Sequence, residues 1–350
     1  MKHMLSQSMV LTVVLATSGM ALAVSAPPRV STVHIGSLPG GILSVAEGIN
    51  ARGQVVGFST PASDDSHAFL WQDGTMSDLG TLPGGSHSFA NSINDRGEIV
   101  GGSEDASGDQ HAVVWQDGTI TDLGTLPGRS VSSASGINSR GQVVGSSYNV
   151  DPITGGAIES HAVVWQDGNI TDLGALPGDD NSSAVGINDR GQIAGISYRI
   201  DPLRGYYPSH SVLWQDGVIT DLGSLPGESG SFAFGINARG QVVGESFDNQ
   251  ANFRAVLWQG GAMTDLGALP DGTINQALAI NARGQVVGAS GDARQENFQA
   301  VLWQDGAIID LGGGYADGIN ASGQIVGAGS GSGGHYEAVL WQVRAATAGP

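Results

Sequence analysis

Cysteine is absent from this sequence of 350 residues, so no disulfide can form and packing alone must stabilise the fold. Lysine is almost absent as well, because Lys2 is the only one and the other basic side chains are arginine or histidine. The formal net charge is -19. A predominantly negative surface repels nucleic acid and anionic lipid, so we expect neither as a partner.

Long apolar runs are also missing, and the longest lies at the start of the chain. Residues 1–28, MKHMLSQSMVLTVVLATSGMALAVSAPP, combine a short basic start, an apolar run over residues 9–16 and the small-residue segment Ala21-Leu22-Ala23. This layout is typical of a secretory signal peptide. A membrane anchor is the alternative, but the run is shorter than the roughly 20 residues that span a bilayer. We predict a signal peptide over residues 1–23 and a mature chain without membrane insertion, in the periplasm or outside the cell.

Two short motifs recur seven times each. One is Trp-Gln, which contains every tryptophan of the chain: Trp71, Trp115, Trp165, Trp214, Trp258, Trp303 and Trp341. The other resembles GINARGQVVG and begins at Gly48, Ser92, Gly136, Gly186, Gly235, Ala279 and Gly318. Repetition at this period is the signature of repeat architectures. We number the repeats as units one to seven in chain order.

Each unit has the pattern of four short antiparallel strands, which we call a to d. In unit two they are SFANSIN, EIVGGSE, HAVVWQ and TITDLG, with apolar residues at period two. Tight turns of the type Asn-x-Arg-Gly and Asp-Gly join a to b and c to d. Tight turns exclude a parallel β-helix, because parallel strands need long connections. Seven such units predict an all-β, seven-bladed β-propeller.

The chain begins with half a unit, and this predicts how the ring closes. The last unit ends at EAVLWQV, a c strand with no d strand after it, whereas VHIGSL at residues 33–38 is a d strand with no unit before it. Pairing the two completes the last blade and removes an open sheet edge. We therefore expect a lead-in over residues 24–31, a propeller over residues 32–343 and a tail over residues 344–350.

An acid and a base recur eleven residues apart on the c and d strands. The register of the Asp-Gly turn makes His67 a diagonal neighbour of Asp78. In the last unit the acid and the base exchange places, with Glu337 facing His34. Because the pairs recur, we interpret them as scaffold, and the tryptophans and the alanine of each a strand as core. The pairs are His67 with Asp78, His111 with Asp122, His161 with Asp172, His210 with Asp221, Arg254 with Asp265 and Gln299 with Asp310.

The runs HAFLWQDGTMSDLGTLPGG and GINARGQVVG resemble the HAF-repeat family of bacterial extracellular repeat proteins, named for the triplet His67-Ala68-Phe69. The match covers residues 31–343. Valine replaces phenylalanine in several copies, and Arg254, Gln299 and Glu337 replace the histidine. The resemblance implies an exported propeller and carries over no catalytic residues.

Function is better sought where the repeats differ. Two adjacent b-to-c connections are long, SSYNVDPITGGAIES at residues 146–160 and SYRIDPLRGYYPS at residues 197–209, and they hold four of the six tyrosines. Exposed tyrosines flanked by acids and arginines can stack on a sugar or a peptide and bond to it. The predicted ligand-binding residues are Tyr148, Asp151, Tyr198, Arg199, Asp201, Arg204, Tyr206 and Tyr207.

Enzyme motifs are missing. There is no His-Glu-x-x-His and no Gly-x-Ser-x-Gly, so no catalytic residue is assigned. Acid clusters such as Asp64-Asp65 suggest calcium, but the Asp-x-Asp-x-Asp-Gly loop is absent and no cofactor or metal ligand is assigned. We expect a monomeric binding or scaffolding module for a glycan or a protein partner. A glycan-active hydrolase or lyase on the same scaffold is the alternative.

Overall fold

The structure is a computed structural model that describes residues 28–63, 65–152, 155–200, 209–292, 298–331 and 335–344. These residues form 27 β-strands and no helix. Consequently, within these ranges, no helix long and apolar enough to cross a membrane is found. The predicted signal peptide lies outside the described residues, and so does most of the predicted tail.

The strand bounds follow the repeat units. The first half of the chain contains β1 (Arg29–Gly36), β2 (Gly41–Ile49), β3 (Val55–Pro61), β4 (His67–Gln72), β5 (Thr75–Asp78), β6 (Ser88–Ile93), β7 (Ile99–Glu104), β8 (Gln110–Gln116), β9 (Thr119–Asp122), β10 (Val131–Ile137), β11 (Val143–Val150), β12 (Ala157–Gln166) and β13 (Asn169–Asp172). The second half contains β14 (Asn181–Ile187), β15 (Ile193–Tyr198), β16 (Ser209–Gln215), β17 (Val218–Asp221), β18 (Gly230–Ile236), β19 (Val242–Phe247), β20 (Phe253–Gln259), β21 (Ala262–Asp265), β22 (Ile274–Ile280), β23 (Val286–Gly291), β24 (Gln299–Gln304), β25 (Ala307–Ile319), β26 (Gln324–Ser330) and β27 (Tyr336–Arg344).

Units one to four each form a separate four-stranded antiparallel sheet, from β2–β5 to β14–β17. The other eleven strands are connected in one network, in the order β1-β27-β26-β25-β24-β23-β22-β20-β19-β18, with β21 beside β20. Two features join the units of this network. A single parallel pair, Phe253 with Ile274, links β20 to β22. Strand β25 runs unbroken for 13 residues and serves both as the d strand of unit six and as the a strand of unit seven.

The first strand pairs with the last. The register of β1 against β27 runs antiparallel from Arg29 opposite Arg344 to Gly36 opposite Ala338. The last unit thus takes its fourth strand from the start of the chain. The paired segment begins at Arg29, a few residues before the predicted strand at 33–38.

Every a strand contains a β-bulge at the same place. In unit one the register shifts between Ala46 and Gly48, so that Glu47 is the extra residue. The b strand places Gly57 opposite the bulge, where an added Cβ would lie 1.9 Å from the carbonyl oxygen of Val45. The same shift occurs in the other six units. The bulge therefore explains the glycine that follows two apolar residues in the b strand of every unit.

The asparagine of each Ile-Asn motif links its unit to the next. The side-chain oxygen of Asn50 accepts hydrogen bonds from the backbone N–H groups of Arg52 and Gln54, which fixes the a-to-b turn. The amide Nδ2 of Asn50 donates to the carbonyl oxygen of Asn94 at 3.1 Å. The same bond is made from Asn94, Asn138, Asn188, Asn237 and Asn281 to the next asparagine, and from Asn320 back to Asn50 at 3.0 Å.

Tryptophan and alanine side chains fill the space between neighbouring sheets, as predicted. Trp115 of unit two packs against Val56 and Ala68 of unit one and against Ala90, and only 3% of Trp115 is exposed. The alanine of each a strand is buried in all seven units. Trp71 differs in being only partly buried. Burial of about 200 Å² per tryptophan makes these contacts a main source of stability.

Candidate functional site

Six of the seven predicted pairs on the c and d strands are confirmed, and the pair of Gln299 with Asp310 stays a prediction. Each histidine Nδ1 lies 2.6–3.2 Å from an oxygen of its aspartate in the pairs of His67, His111, His161 and His210. His34 lies 3.0 Å from Glu337, the pair in which acid and base are exchanged, and Arg254 lies 3.7 Å from Asp265. The second oxygen of Asp78 accepts the backbone N–H of Gly80. The aspartates paired with His111, His161, His210 and Arg254 make the same bond, so these pairs hold the end of a d strand. A role that recurs in unit after unit is structural.

Two of the predicted tyrosines occupy equivalent places in adjacent units. Tyr148 lies opposite Val131 in β11, and Tyr198 lies opposite Asn181 in β15. Both are partly buried rather than exposed, and burial raises the pKa of Tyr148. Arg199 is exposed. The residues Asp201, Arg204, Tyr206 and Tyr207 lie outside the described residues.

The predicted connection over residues 146–160 is mostly a hairpin. Strand β11 continues to Val150, which pairs with Ala157 in β12, so only residues 151–156 connect the strands. The backbone N–H of Asp151 donates to Gly156 at 2.8 Å and holds the turn. Arg129 donates to the backbone oxygen of Glu159, which ties the hairpin to the preceding connection. The strands extend because the residues before Asp151 and after Gly156 continue the ladder of hydrogen bonds. Asp151 and Pro152 had indicated a loop instead.

Two acidic residues that sequence reasoning missed lie near each other where the first and the last unit adjoin. Glu47 in β2 and Asp317 in β25 are both the extra residue of a bulge. The strands touch there, because a Cβ on Gly318 would lie 3.0 Å from the carbonyl oxygen of Glu47. Burial and then the charge of Glu47 raise the pKa of Asp317 well above its usual value. Burial also raises the pKa of Glu47.

This pair can hold a proton at a pH at which an isolated carboxyl group has lost it. Burial in protein and a neighbouring like charge both favour the neutral form. Glu47 and Asp317 are nonetheless only partly buried as whole residues. Carboxyl groups in such a setting are suited to donating and accepting protons.

A signal for the pair is present in the sequence. The bulge residue varies strongly between units although its neighbours, alanine before it and Ile-Asn after it, are repeated. The series is Glu47, Asn91, Ser135, Val185, Phe234, Leu278 and Asp317. The two acids stand at the ends of the series, and only the meeting of the first and last units makes them neighbours.

Three cavities follow the repeat. One of about 470 Å³ lies beside His67 and Asp78, and one of about 320 Å³ lies at the equivalent place beside Gln299 and Asp310. A third, of about 260 Å³, is bordered by the isoleucine and asparagine of all seven Ile-Asn motifs. Recurrence assigns these cavities to the scaffold. Within the described ranges, no three histidine, aspartate or glutamate side chains come together as metal ligands.

Comparison with known proteins yields structural likeness only. No family model and no curated protein matches the sequence. A puromycin-hydrolysing peptidase of Mycobacterium tuberculosis is similar at a TM-score of 0.58 and 14% identity, over 93% of this chain and 56% of that chain. The acylaminoacyl peptidase of Pyrococcus horikoshii is similar at a TM-score of 0.55 and 14% identity, over 87% of this chain and 52% of that chain. The chain thus spans about half the length of these two peptidases.

The third comparison concerns a domain of similar size. The β-propeller domain of the Trilobed protease from Pyrococcus furiosus, described as having an open velcro topology, is similar at a TM-score of 0.51 and 10% identity, over 88% of this chain and 96% of that domain. Identities this low show the fold alone. The chain is all-β, and its structural neighbours are β-propellers.

Proposed function

We propose that this chain is an exported, seven-bladed β-propeller of the HAF-repeat type, in which each unit forms one blade and β1 completes the last blade. The series of asparagine hydrogen bonds supports this arrangement, because it passes through all seven units and returns from Asn320 to Asn50. The pairing of β1 with β27 supports it independently. The signal-like residues 1–23 support export.

The propeller acts as a binding or scaffolding module for a glycan or a protein partner. The observation that carries this proposal is that the repeated polar side chains are used within the scaffold. The histidines of units one to four bond to aspartates, and the asparagines bond to the next unit. Variation is concentrated at the opposite end from the tight turns, in the b-to-c and d-to-a connections, which we call the loop end. Ligands of repeat scaffolds bind where such connections vary.

A melting-temperature screen tests the module. Residues 24–350 are heated with cell-wall and environmental glycans, with calcium and with a chelator in parallel. A ligand at 100 times its dissociation constant should raise the melting temperature by about 5 °C. If no glycan raises the melting temperature, glycans are excluded as the ligand class and a protein partner remains. Pull-down with the mature chain would then identify that partner.

The tyrosine connections of units three and four are the first binding surface to test. Replacing Tyr206 and Tyr207 with alanine should abolish retention on the glycan that the screen identifies, without lowering the melting temperature. Val218→Ser is the control, because this side chain is 61% exposed and lies in a c-to-d hairpin away from the loop end. Full retention by the double variant would reject these connections as the site.

A glycan-active hydrolase or lyase is the second candidate, favoured by one observation, the pair of Glu47 and Asp317 with raised pKa values. If the pair is catalytic, Glu47→Gln and Asp317→Asn should each slow the formation of product by about 100-fold or more. Neither variant should lower the melting temperature, and Glu245→Gln, another buried acid, should keep the rate. Absence of product from every glycan in the panel would exclude this candidate.

A further inference from the structure

A cavity of about 260 Å³ lies at the loop end, beside the paired first and last strands of the described residues. Its lining comes from the connection after β1, from the start of β2 and from the start of β27. The residues are Ser37, Ile42, His335, Tyr336 and Glu337, with Gly41 and Gly331 between them. We call this space the seam cavity. Unlike the cavities described above, it has side chains that the other units do not repeat.

Ile42 departs from the repeat in a way that the scaffold does not require. Its side chain is 50% exposed. Counting back from the buried alanine of each a strand, the other six units place a small or polar residue here: Ser86, Ser130, Asp180, Ser229, Thr273 and Gly312. An exposed aliphatic side chain at this one position gains nothing from the core and lies against the cavity instead.

Tyr336 forms the second apolar wall. The side chain is 39% exposed, yet its ring is held in place from within. It meets the ring of Tyr315 edge to face at a centroid distance of 5.9 Å, and Tyr315 packs against Phe298 at 4.8 Å. Tyr336 is thus the exposed end of a row of three rings, and its position is fixed before any ligand arrives.

Polar groups border these apolar walls. Glu337 is held by His34, whose Nδ1 lies 3.0 Å from Oε2. Gly331 keeps this carboxylate uncovered, because a Cβ there would lie 3.4 Å from Oε2 and 3.0 Å from the Cβ of Glu337. Ser37 adds a hydroxyl group and His335 an imidazole. One carboxylate that accepts hydrogen bonds beside a fixed aromatic ring matches a molecule with an apolar face and hydroxyl groups around it.

We propose that the seam cavity binds one sugar ring of a neutral glycan, with Tyr336 and Ile42 against the ring face and Glu337 accepting hydrogen bonds from its hydroxyl groups. The proposal rests on the proposed binding function at the loop end and names its ligand class. The volume suits a single pyranose rather than a longer ligand. The charge of -19 repels uronic acids and other anionic sugars, which leaves neutral ones.

Calorimetric titration of the mature protein tests the cavity. The probes are cellohexaose, maltohexaose, xylohexaose and chitohexaose, with hexagalacturonate as the anionic probe. Affinity for one neutral probe should fall about tenfold in Tyr336→Ala, from lost stacking, and should change less than about threefold in Tyr336→Phe, which keeps the ring. Ile42→Ser restores the residue of the other units and should weaken binding about threefold. Val218→Ser removes an exposed apolar side chain elsewhere and should have no effect.

The outcomes separate this inference from the function on which it rests. Binding of a neutral probe that persists unchanged in Ile42→Ser and Tyr336→Ala overturns the seam cavity and leaves the binding module standing. If Tyr336→Ala does not fold, Ile42→Ser decides, because its side chain is exposed. Binding of hexagalacturonate alone, or of a peptide partner and no sugar, also overturns the proposal. Weaker binding of a neutral probe by Tyr336→Ala and Ile42→Ser, with unchanged binding by Tyr336→Phe and Val218→Ser, supports it.

Discussion

Single residues that depart from the repeat carry the individual properties of this protein. Glu245 is an example, because the same place in the other units holds Phe58, Gly102, Ser146, Ile196, Ala289 and Ala328. Only 3% of Glu245 is exposed. Its Oε2 accepts a hydrogen bond from Gln276 of the next unit at 3.0 Å. Burial outweighs this bond and raises the pKa of Glu245 to about 7.

Stability should therefore depend on pH in a defined direction. A carboxyl group whose pKa is raised on folding stabilises the folded state most below its unfolded value of 4.5, and this stability is lost as the pH rises through about 7. The raised pKa values of Glu47 and Asp317 act in the same direction. We expect a higher melting temperature at about pH 5 than at about pH 8.

Glu245→Gln isolates the contribution of one group, because it removes the charge and keeps the shape. At about pH 8 the variant should gain about 2 kcal/mol in free energy of unfolding relative to the wild type, and the dependence on pH should flatten. Glu104→Gln, at a partly exposed end of β7, is the control and should leave the difference between the melting temperatures at the two pH values unchanged. A melting temperature of the wild type that rises from pH 5 to pH 8 would contradict this account.

At the scale of the elements, each unit is built around a bulge and the glycine that faces it. The extra residue of the a strand leaves no room for a side chain on the b strand. In unit three, a Cβ on Gly145 would lie 1.9 Å from the carbonyl oxygen of Ser133. The bulge also brings its extra residue out of the ladder, which is how Glu47 and Asp317 reach each other. The bulge thus accounts both for the repeated glycine of the b strand and for the one position of the a strand that varies between units.

Gly145→Ala should therefore be severe. The methyl group meets backbone rather than a flexible side chain, and we expect a loss of about 3 kcal/mol in the free energy of unfolding. Gly186→Ala is the matched control, because its Cβ would meet Ile236 at an ordinary 3.4 Å, and it should change stability by less than about 1 kcal/mol. Urea denaturation measures both. Equal effects of the two substitutions would refute the explanation of the repeated glycine by the bulge.

The sequence predicted the elements better than the places where they meet. Strand positions, turns and the pairing of His67 with Asp78 follow from period-two patterns and turn residues within a unit, which are local signals. The proximity of Glu47 to Asp317 does not follow from local signals, because it depends on which units adjoin and involves residues far apart in the sequence. The seam cavity was missed for the same reason. The hairpin over residues 146–160 was missed because aspartate and proline mask a ladder that continues.

At the scale of the whole molecule, the first and the last described strands pair, and units one and seven adjoin. Two independent sets of bonds make this contact, the ladder between β1 and β27 and the hydrogen bond from Asn320 to Asn50. Glu47, Asp317 and the seam cavity all lie where the first and last units adjoin. Closure of the proposed ring and function are therefore linked. Opening this junction would move Glu47 away from Asp317 and would pull apart the two sides of the seam cavity.

The most direct test of the proposed ring is a disulfide across this junction, in a chain that has no cysteine of its own. Ser31 lies opposite Gln342, with the Ser31 hydroxyl 3.4 Å from the Gln342 carbonyl oxygen, and Cα atoms of paired strand residues are within disulfide range. Ser31→Cys with Gln342→Cys should form an intramolecular bond and raise the free energy of unfolding by about 4 kcal/mol. Ser31→Cys with Ser330→Cys, which are not partners, should stay reduced. Free thiols in the oxidised first variant, or dimers only, would contradict the closed ring.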